Sequence, residues 1–288
     1  MSHSEFTGAS KYNKTVYETW ELSYKDIQQR AESHDSYKAR AANSAILLLE
    51  LFPFFHHAGI TEKIFSYAAL QDDETSMSNL PLSSSLLDRR LLPLHKTGTW
   101  DGTIFREGIR ILLSLSLIRR DSFDDVYVMH PLVHSWGRDR LTSNDKKKSC
   151  LMAYVTLACS LRWNADQSYG FQRTLVTHVR ANMEYFKSEV NENTVCYMDD
   201  AYENFGRLLR EQGYPKEAET LQIQVLDRRN GILGVEHPDT INAMENLATT
   251  YGSLGKYREA EKLEIQVLDA RNRILGEEHL IQLMLWEI

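Results

Sequence analysis

The stretch GYPKEAETLQIQVLDRRNGILGVEHPDT, Gly213 to Thr240, is followed by GKYREAEKLEIQVLDARNRILGEEH, Gly255 to His279. Gly213 and Gly255 set a period of 42 residues. A period of this size marks a stacked array of helical hairpins, because each hairpin buries its apolar face only against its neighbours. Each copy reads as an A helix and a longer B helix. In the first, an A helix from near Met198 to Gln212 precedes the turn Gly213-Tyr214-Pro215, and a B helix runs from Lys216 to Leu233. In the second, Pro238 to Leu254 and Tyr257 to Leu275 flank Gly255-Lys256. Gly213, Gly234, Gly255 and Gly276 stand where helices end in the left-handed conformation, in which a Cβ costs energy.

On the B helices Ala218, Leu221, Val225 and Leu226 recur as Ala260, Leu263, Val267 and Leu268. This spacing of i, i+3, i+7 and i+8 is one apolar stripe, so the shared sequence is largely a packing code. Glu217, Asp227 and Arg229 also recur, as Glu259, Asp269 and Arg271. They read as surface pairs worth roughly a few tenths of a kcal/mol each.

The string NLATTYGSLGKYREAEKLEIQVLDARNRILGEEH resembles a tetratricopeptide repeat of the longer kind found in kinesin light chains, and the resemblance extends from Ala201 to about His279. In that family the A helices line a concave groove that binds a protein or peptide, and an A-helix asparagine can hydrogen-bond the ligand's backbone. Asn204 in ENFG and Asn246 in ENLA match that position, so the resemblance implies partner binding at both. The other reading has both asparagines satisfying neighbouring hairpins. Two recognisable repeats are fewer than the roughly three that such arrays need. From Leu280 to Ile288 the sequence LIQLMLWEI leaves the pattern. It either caps the array on the last B helix or marks a truncated version of a longer protein.

Ahead of the repeats, Val16, Trp20, Tyr24 and Ile27 recur at helical spacing, and a second helix is expected from about Tyr37 through Leu51, ended by Pro53. Its stripe is Ala42, Ala45, Ile46 and Leu49, widened by Leu47, Leu48 and Leu51 toward burial inside a bundle. GITEKIFSYAAL reads as a short helix with Thr61 as its N-cap. Residues 71–99 read as an irregular excursion with a helical turn near Leu86. Phe105, Ile109, Leu112 and Leu113 then mark a helix. Two β-prone pieces near Leu117–Arg119 and Val126–Met129 flank RDSFDD as a hairpin, or wing. His130 to Leu141 forms the next helix, with Pro131 tolerated in its first turn. Helix, helix, hairpin, helix is a winged-helix order. Helical periodicity continues through KKSCLMAYVTLACSLRW and SYGFQRTLVTHVRANMEYFKSEV, where Lys146 to Lys148 read as a solvated helix start or loop.

The pieces YETWELSYKDIQQR, AANSAILLLELFPFF, IFREGIRILLSLSLIRRD and VYVMHPLVHSWGRDRL, within Thr15 to Leu141, resemble the end of the nucleotide-binding region of STAND-type (NB-ARC, NLR-like) ATPases. The likeness is greatest to the receptor-like ones of filamentous fungi that carry C-terminal tetratricopeptide arrays. In these proteins a winged-helix domain closes over ADP, and the histidine of an MHD-like motif contacts the β-phosphate. Met129-His130 occupies that place, with Pro131 where the motif has aspartate. The sequence holds no G-x-x-x-x-G-K-[ST], the loop whose backbone and lysine cradle phosphates. His130 therefore senses ADP only if such a module is present, and otherwise reads as a helix-capping or core histidine.

With 288 residues and 42% hydrophobic content the chain can bury about two domain cores. Its 40 acidic against 33 basic residues, net −7, speak against a nucleic-acid or anionic-membrane partner. Arg119 and Arg120 on the wing give a DNA-binding reading its one footing. Cys150, Cys159 and Cys196 are odd in number and lack C-x-x-C spacing, which fits a reducing compartment. The run AILLLELFPFF is far below the roughly 20 residues that span a bilayer, so a cytoplasmic protein is expected. His56-His57, and His130 with His134, lack a third ligand at metal spacing, and no G-x-S-x-G occurs. No enzyme, metal site or cofactor is expected, apart from ADP or ATP in a full-length relative.

These readings combine into a mostly α protein. Residues 1–142 are expected to form a winged-helix-like helical domain with a small β-hairpin, 143–195 a helical connector, and 196–288 an α-solenoid of about two tetratricopeptide repeats with a truncated tail. The expected function is non-catalytic protein–protein interaction in signal transduction, as part of a STAND-type receptor whose repeats bind a partner protein or peptide. The alternative is a free-standing, kinesin-light-chain-like scaffold for cargo or client peptides.

Overall fold

The structure, a computed structural model, describes residues 11–70, 90–121, 126–161, 167–190 and 199–275. These divide into two compact units, one built from residues 11–70, 90–161 and 177–190, the other from 167–176 and 199–275.

The first unit opens with α1 (Lys11–Ala31) and α2 (Ser36–Leu51). Asp35 starts α2 by accepting from the backbone N–H groups of Tyr37 and Lys38, two of the donors that a helix start leaves unpaired. Pro53 removes an N–H at the other end, and the chain tightens into a 3-10 turn, Phe52–Phe54. Phe52, Phe54 and Phe55 are fully buried there. Helix α4 (Thr103–Ser114) packs against α2. The approach is close at Gly108, where an added Cβ would lie 2.6 Å from Ser44 Oγ and 2.9 Å from the Ala45 backbone nitrogen.

Strands β1 (Ile60–Thr61), β2 (Arg119–Arg120) and β3 (Val126–Val128) form an antiparallel sheet with β3 in the middle. Ile60 faces Tyr127, and Arg119 faces Val128. Two residues are too few for the alternation that marks a strand in sequence, so β1 has no counterpart in the pattern reading. Thr61 sits at the N-cap of α3 (Glu62–Ala69), but its hydroxyl makes no cap bond, contrary to expectation. The positions near Leu86 and within 122–125 lie outside the described residues.

Helix α5 (Pro131–Asp139) follows β3, then α6 (Ser143–Ser160). From Met152 to Ser160 every residue of α6 is buried, the condition of a helix surrounded on all sides. Lys147 and Lys148 are exposed on its first turns. Cys150 and Cys159 are buried free thiols, and burial pushes the Cys150 thiol up to about 12. Helix α7 (Tyr169–Glu189) contributes residues 177–189 to the first unit and 169–176 to the second.

The second unit carries α8 (Asp199–Glu211), α9 (Pro215–Leu233), α10 (Pro238–Ser253) and α11 (Tyr257–Leu275). Gly213 (φ +86°), Gly234 (+88°) and Gly255 (+72°) take the left-handed conformation between them. Helix α9 packs on α8 and α10, and α10 packs on α11. Ile241, Met244, Val267 and Ala270 form a buried cluster joined by Leu226 and Leu263. Two expectations fail on the B helices. Leu268 of the repeated stripe is 53% exposed, and Arg229, expected at the surface, is 1% exposed. Gly276 and the stretch 280–288 lie outside the described residues. Among the described residues no helix is long and apolar enough to cross a membrane.

Candidate functional site

Helices α8 and α10 repeat more than sequence. At a spacing of 42 residues, positions 199–206 and 241–248 have the same burial pattern, residue by residue. Ala201, Tyr202 and Phe205 point inward in one helix, as Ala243, Met244 and Leu247 do in the other. Asp200, Glu203 and Asn204 form a half-buried polar row that recurs as Asn242, Glu245 and Asn246. Two equal polar rows thus stand on successive A helices.

Arg229 of α9 organises the first of them. Its Nη1 donates to the Asp239 carbonyl oxygen at 2.8 Å and meets Glu203 Oε2 at 2.8 Å, and its Nη2 donates to Asp200 Oδ1 at 2.9 Å. A guanidinium at 1% exposure must be paired in this way, since desolvating a charge without partners costs several kcal/mol. Next to it Arg228 Nε meets Asp199 Oδ1 at 2.8 Å, with its guanidinium 4.9 Å from the Tyr202 ring centre. Burial pushes the Glu203 and Asp199 carboxyls above the usual range, against the pull of Arg229 and Arg228. Asn246 donates its side-chain amide to Glu203 Oε1, which ties the second row to the first. In the second hairpin Arg271 Nη2 meets Glu245 Oε1 at 2.5 Å, the same pair 42 residues on, but half exposed.

Of the residues singled out in sequence, Asn204 and Asn246 therefore lie at matching places on the A-helix faces. Residues 197–283 match the tetratricopeptide repeat family. The crystal structure of Podosopora anserina putative kinesin light chain nearly identical TPR-like repeats is similar to the chain at 16% identity, covering 59% of this chain and 88% of that one, with a TM-score of 0.29. No curated protein matches the chain. The charged network belongs to these tetratricopeptide-type hairpins, and its signal was present in sequence: Glu203 and Arg229 recur together as Glu245 and Arg271.

His130 stands elsewhere. It is exposed, and its Nδ1 accepts from the Leu132 N–H at 3.2 Å, so the ring caps α5. His237 caps α10 in the same way, accepting from the Asp239 N–H, and proline follows in both cases. His130 Nδ1 thus already holds one of the N–H groups that the start of α5 leaves unpaired. His134, one turn on, is buried and bonded through Nε2 to the Phe55 carbonyl at 2.9 Å. His178 Nε2 bonds the Gly59 carbonyl at 2.9 Å, and its Nδ1 accepts from the His56 N–H at 3.2 Å. These rings are packing elements of the first unit. Among the described residues no group of three or more His, Cys, Asp or Glu side chains could hold a metal ion.

Proposed function

We propose that the chain is a non-catalytic protein–protein interaction protein whose α8 and α10 faces together bind a partner protein or peptide. The observation that carries this reading is the identical burial pattern of positions 199–206 and 241–248, which repeats a polar row on two successive A helices. On this reading Asn204 and Asn246 hydrogen-bond the partner's backbone. Glu203 holds the Asn246 amide in one orientation before any partner arrives, which lowers the ordering cost of binding. The test is a peptide selected from a random display library on the wild-type chain, with its affinity measured again on the Asn204→Ala, Asn246→Ala double variant. Loss of two hydrogen bonds at about 1 kcal/mol each corresponds to roughly tenfold or more weaker binding. Equal affinity in a folded double variant contradicts the groove.

A second reading concerns the first unit. The order α2, β1, α3, α4, β2, β3, with β3 central, supports a winged helix, and His130 follows β3 at the place of the MHD-like histidine. The chain is then the C-terminal part of a cytoplasmic STAND-type signalling protein. An in-frame phosphate-binding loop in the genomic sequence upstream supports this. Its absence favours the free-standing scaffold.

A further inference from the structure

A side-chain amide can meet a neighbour with its NH2 group or with its carbonyl oxygen, and the choice decides what it leaves for a partner. For Asn246 the neighbour is Glu203 on α8, whose Oε1 accepts from Asn246 Nδ2. The other carboxyl oxygen, Oε2, lies 2.8 Å from Nη1 of Arg229, a permanently charged side chain at 1% exposure. A buried guanidinium at this distance favours the ionised carboxylate, which accepts hydrogen bonds and cannot donate them. An ionised Glu203 therefore admits one orientation of the Asn246 amide, with NH2 toward α8 and Oδ1 turned away. The carboxylate cannot follow a turning amide, because Arg229 is itself held by Asp200 Oδ1 at 2.9 Å and by the Asp239 carbonyl at 2.8 Å. Among the described residues Glu203 is the one side-chain partner of the half-buried Asn246 amide, so Oδ1 and one N–H remain to be used.

Resting on the groove reading above, we infer that Glu203 is a positioning residue that fixes the polarity of Asn246, so that the α10 row recognises a partner segment through a backbone N–H donating to Asn246 Oδ1. Glu203 acts through Asn246, and the order of contacts runs from Arg229 on α9 to Glu203 on α8 to Asn246 on α10. The reversed amide would offer the partner two N–H donors and no acceptor. With an uncharged amide at 203, which both donates and accepts, either orientation of Asn246 is satisfied and the preference for a partner N–H disappears.

Two measurements on the full chain test this. In the free chain, NMR coupling across the hydrogen bond from Asn246 Nδ2 to the Glu203 carboxyl carbon is expected, and an Asn246 amide exchanging its protons like a solvated one overturns the orientation. The second probe is the display-selected peptide, with each backbone amide replaced in turn by an ester that lacks the N–H. One ester is expected to bind the wild-type chain about fivefold more weakly than the parent peptide, and Asn246→Ala equally well. Glu203→Gln should reduce that ester penalty to less than about twofold. Adding Asn246→Asp to Glu203→Gln swaps the two groups, so that an amide at 203 donates to a carboxylate at 246 and an acceptor again faces the partner. The fivefold penalty should then return. If Glu203→Gln weakens every peptide of the scan alike and leaves the penalty unchanged, Glu203 is merely structural and the proposal falls. It falls too if no ester position is coupled to Asn246 while Asn204→Ala, Asn246→Ala still weakens the parent peptide. Equal affinity in that double variant overturns the groove reading itself, and the NMR coupling then decides the role of Glu203 alone.

Discussion

Lowering the pH from 7 to 5 should destabilise the first unit through two buried histidines. In His134 and His178 the Nε2–H donates to a carbonyl, while Nδ1 faces a donor that cannot turn round, the Arg138 guanidinium in one case and the His56 N–H in the other. A proton added at Nδ1 would point at another N–H in a dry site. Burial, helped by Arg138 at His134, accordingly pushes both rings down to about 4 from 6.5. Because the folded value lies below the unfolded one, the unfolded chain takes up these protons first. Stability is complete above about pH 6.5 and falls progressively toward pH 4. Each ring contributes about 3 kcal/mol over the whole window and about 2 kcal/mol by pH 5. Two rings then remove about 4 kcal/mol from a typical total of about 5–15 kcal/mol, a fall in melting temperature on the order of 10 °C. Proton NMR titration of the histidine rings, with thermal melts from pH 5 to 7, reads both quantities. His178→Gln keeps an amide donor for Gly59 without a titrating ring and should remove about half of the histidine pH dependence. Either ring titrating near 6.5, or an unchanged pH slope in His178→Gln, refutes the reasoning.

Other outcomes follow from single contacts. Glu203→Ala leaves the buried Arg229 short of a carboxylate and should cost about 2–4 kcal/mol in urea unfolding. Glu245→Ala, at the half-exposed equivalent, should cost less than about 1 kcal/mol, and equal costs would contradict the assigned burial. Gly255→Ala meets no atom within 4 Å but forces a left-handed alanine, so a loss of about 1–2 kcal/mol is expected. Gly252→Ala, inside α10 and equally open, should instead stabilise by up to about 1 kcal/mol, and the same sign at both sites would count against the backbone argument. Gly108→Ala should destabilise by about 1–3 kcal/mol, because its Cβ would press on the α2 backbone, and unchanged melting would contradict the close approach.

The repeats were legible because the 42-residue period and the helix-ending glycines are local signals, and Gly213, Gly234 and Gly255 take the positive φ read from them. What sequence could not show was which equivalent side chains have neighbours. Leu226 and Leu268 are the same residue at the same register, but only Leu226 has an A helix over it among the described residues. Arg229 was misread because a charged residue on a helix is ordinarily solvated, and its burial depends on Asp200, Glu203 and Asp239 arriving from two other helices. The histidine contacts are hidden for a similar reason, since His178 meets His56 across 122 residues. Thr61 is the converse case, where the residue type suited a cap and the structure does not use it.

The central claim, partner binding on the A-helix faces, is tested most directly by amide hydrogen exchange of the chain with and without its library-selected peptide. Protection concentrated in α8 and α10, around Asn204 and Asn246, is the predicted result. Protection confined to α9 and α11, with α8 and α10 exchanging as in the free chain, would contradict it.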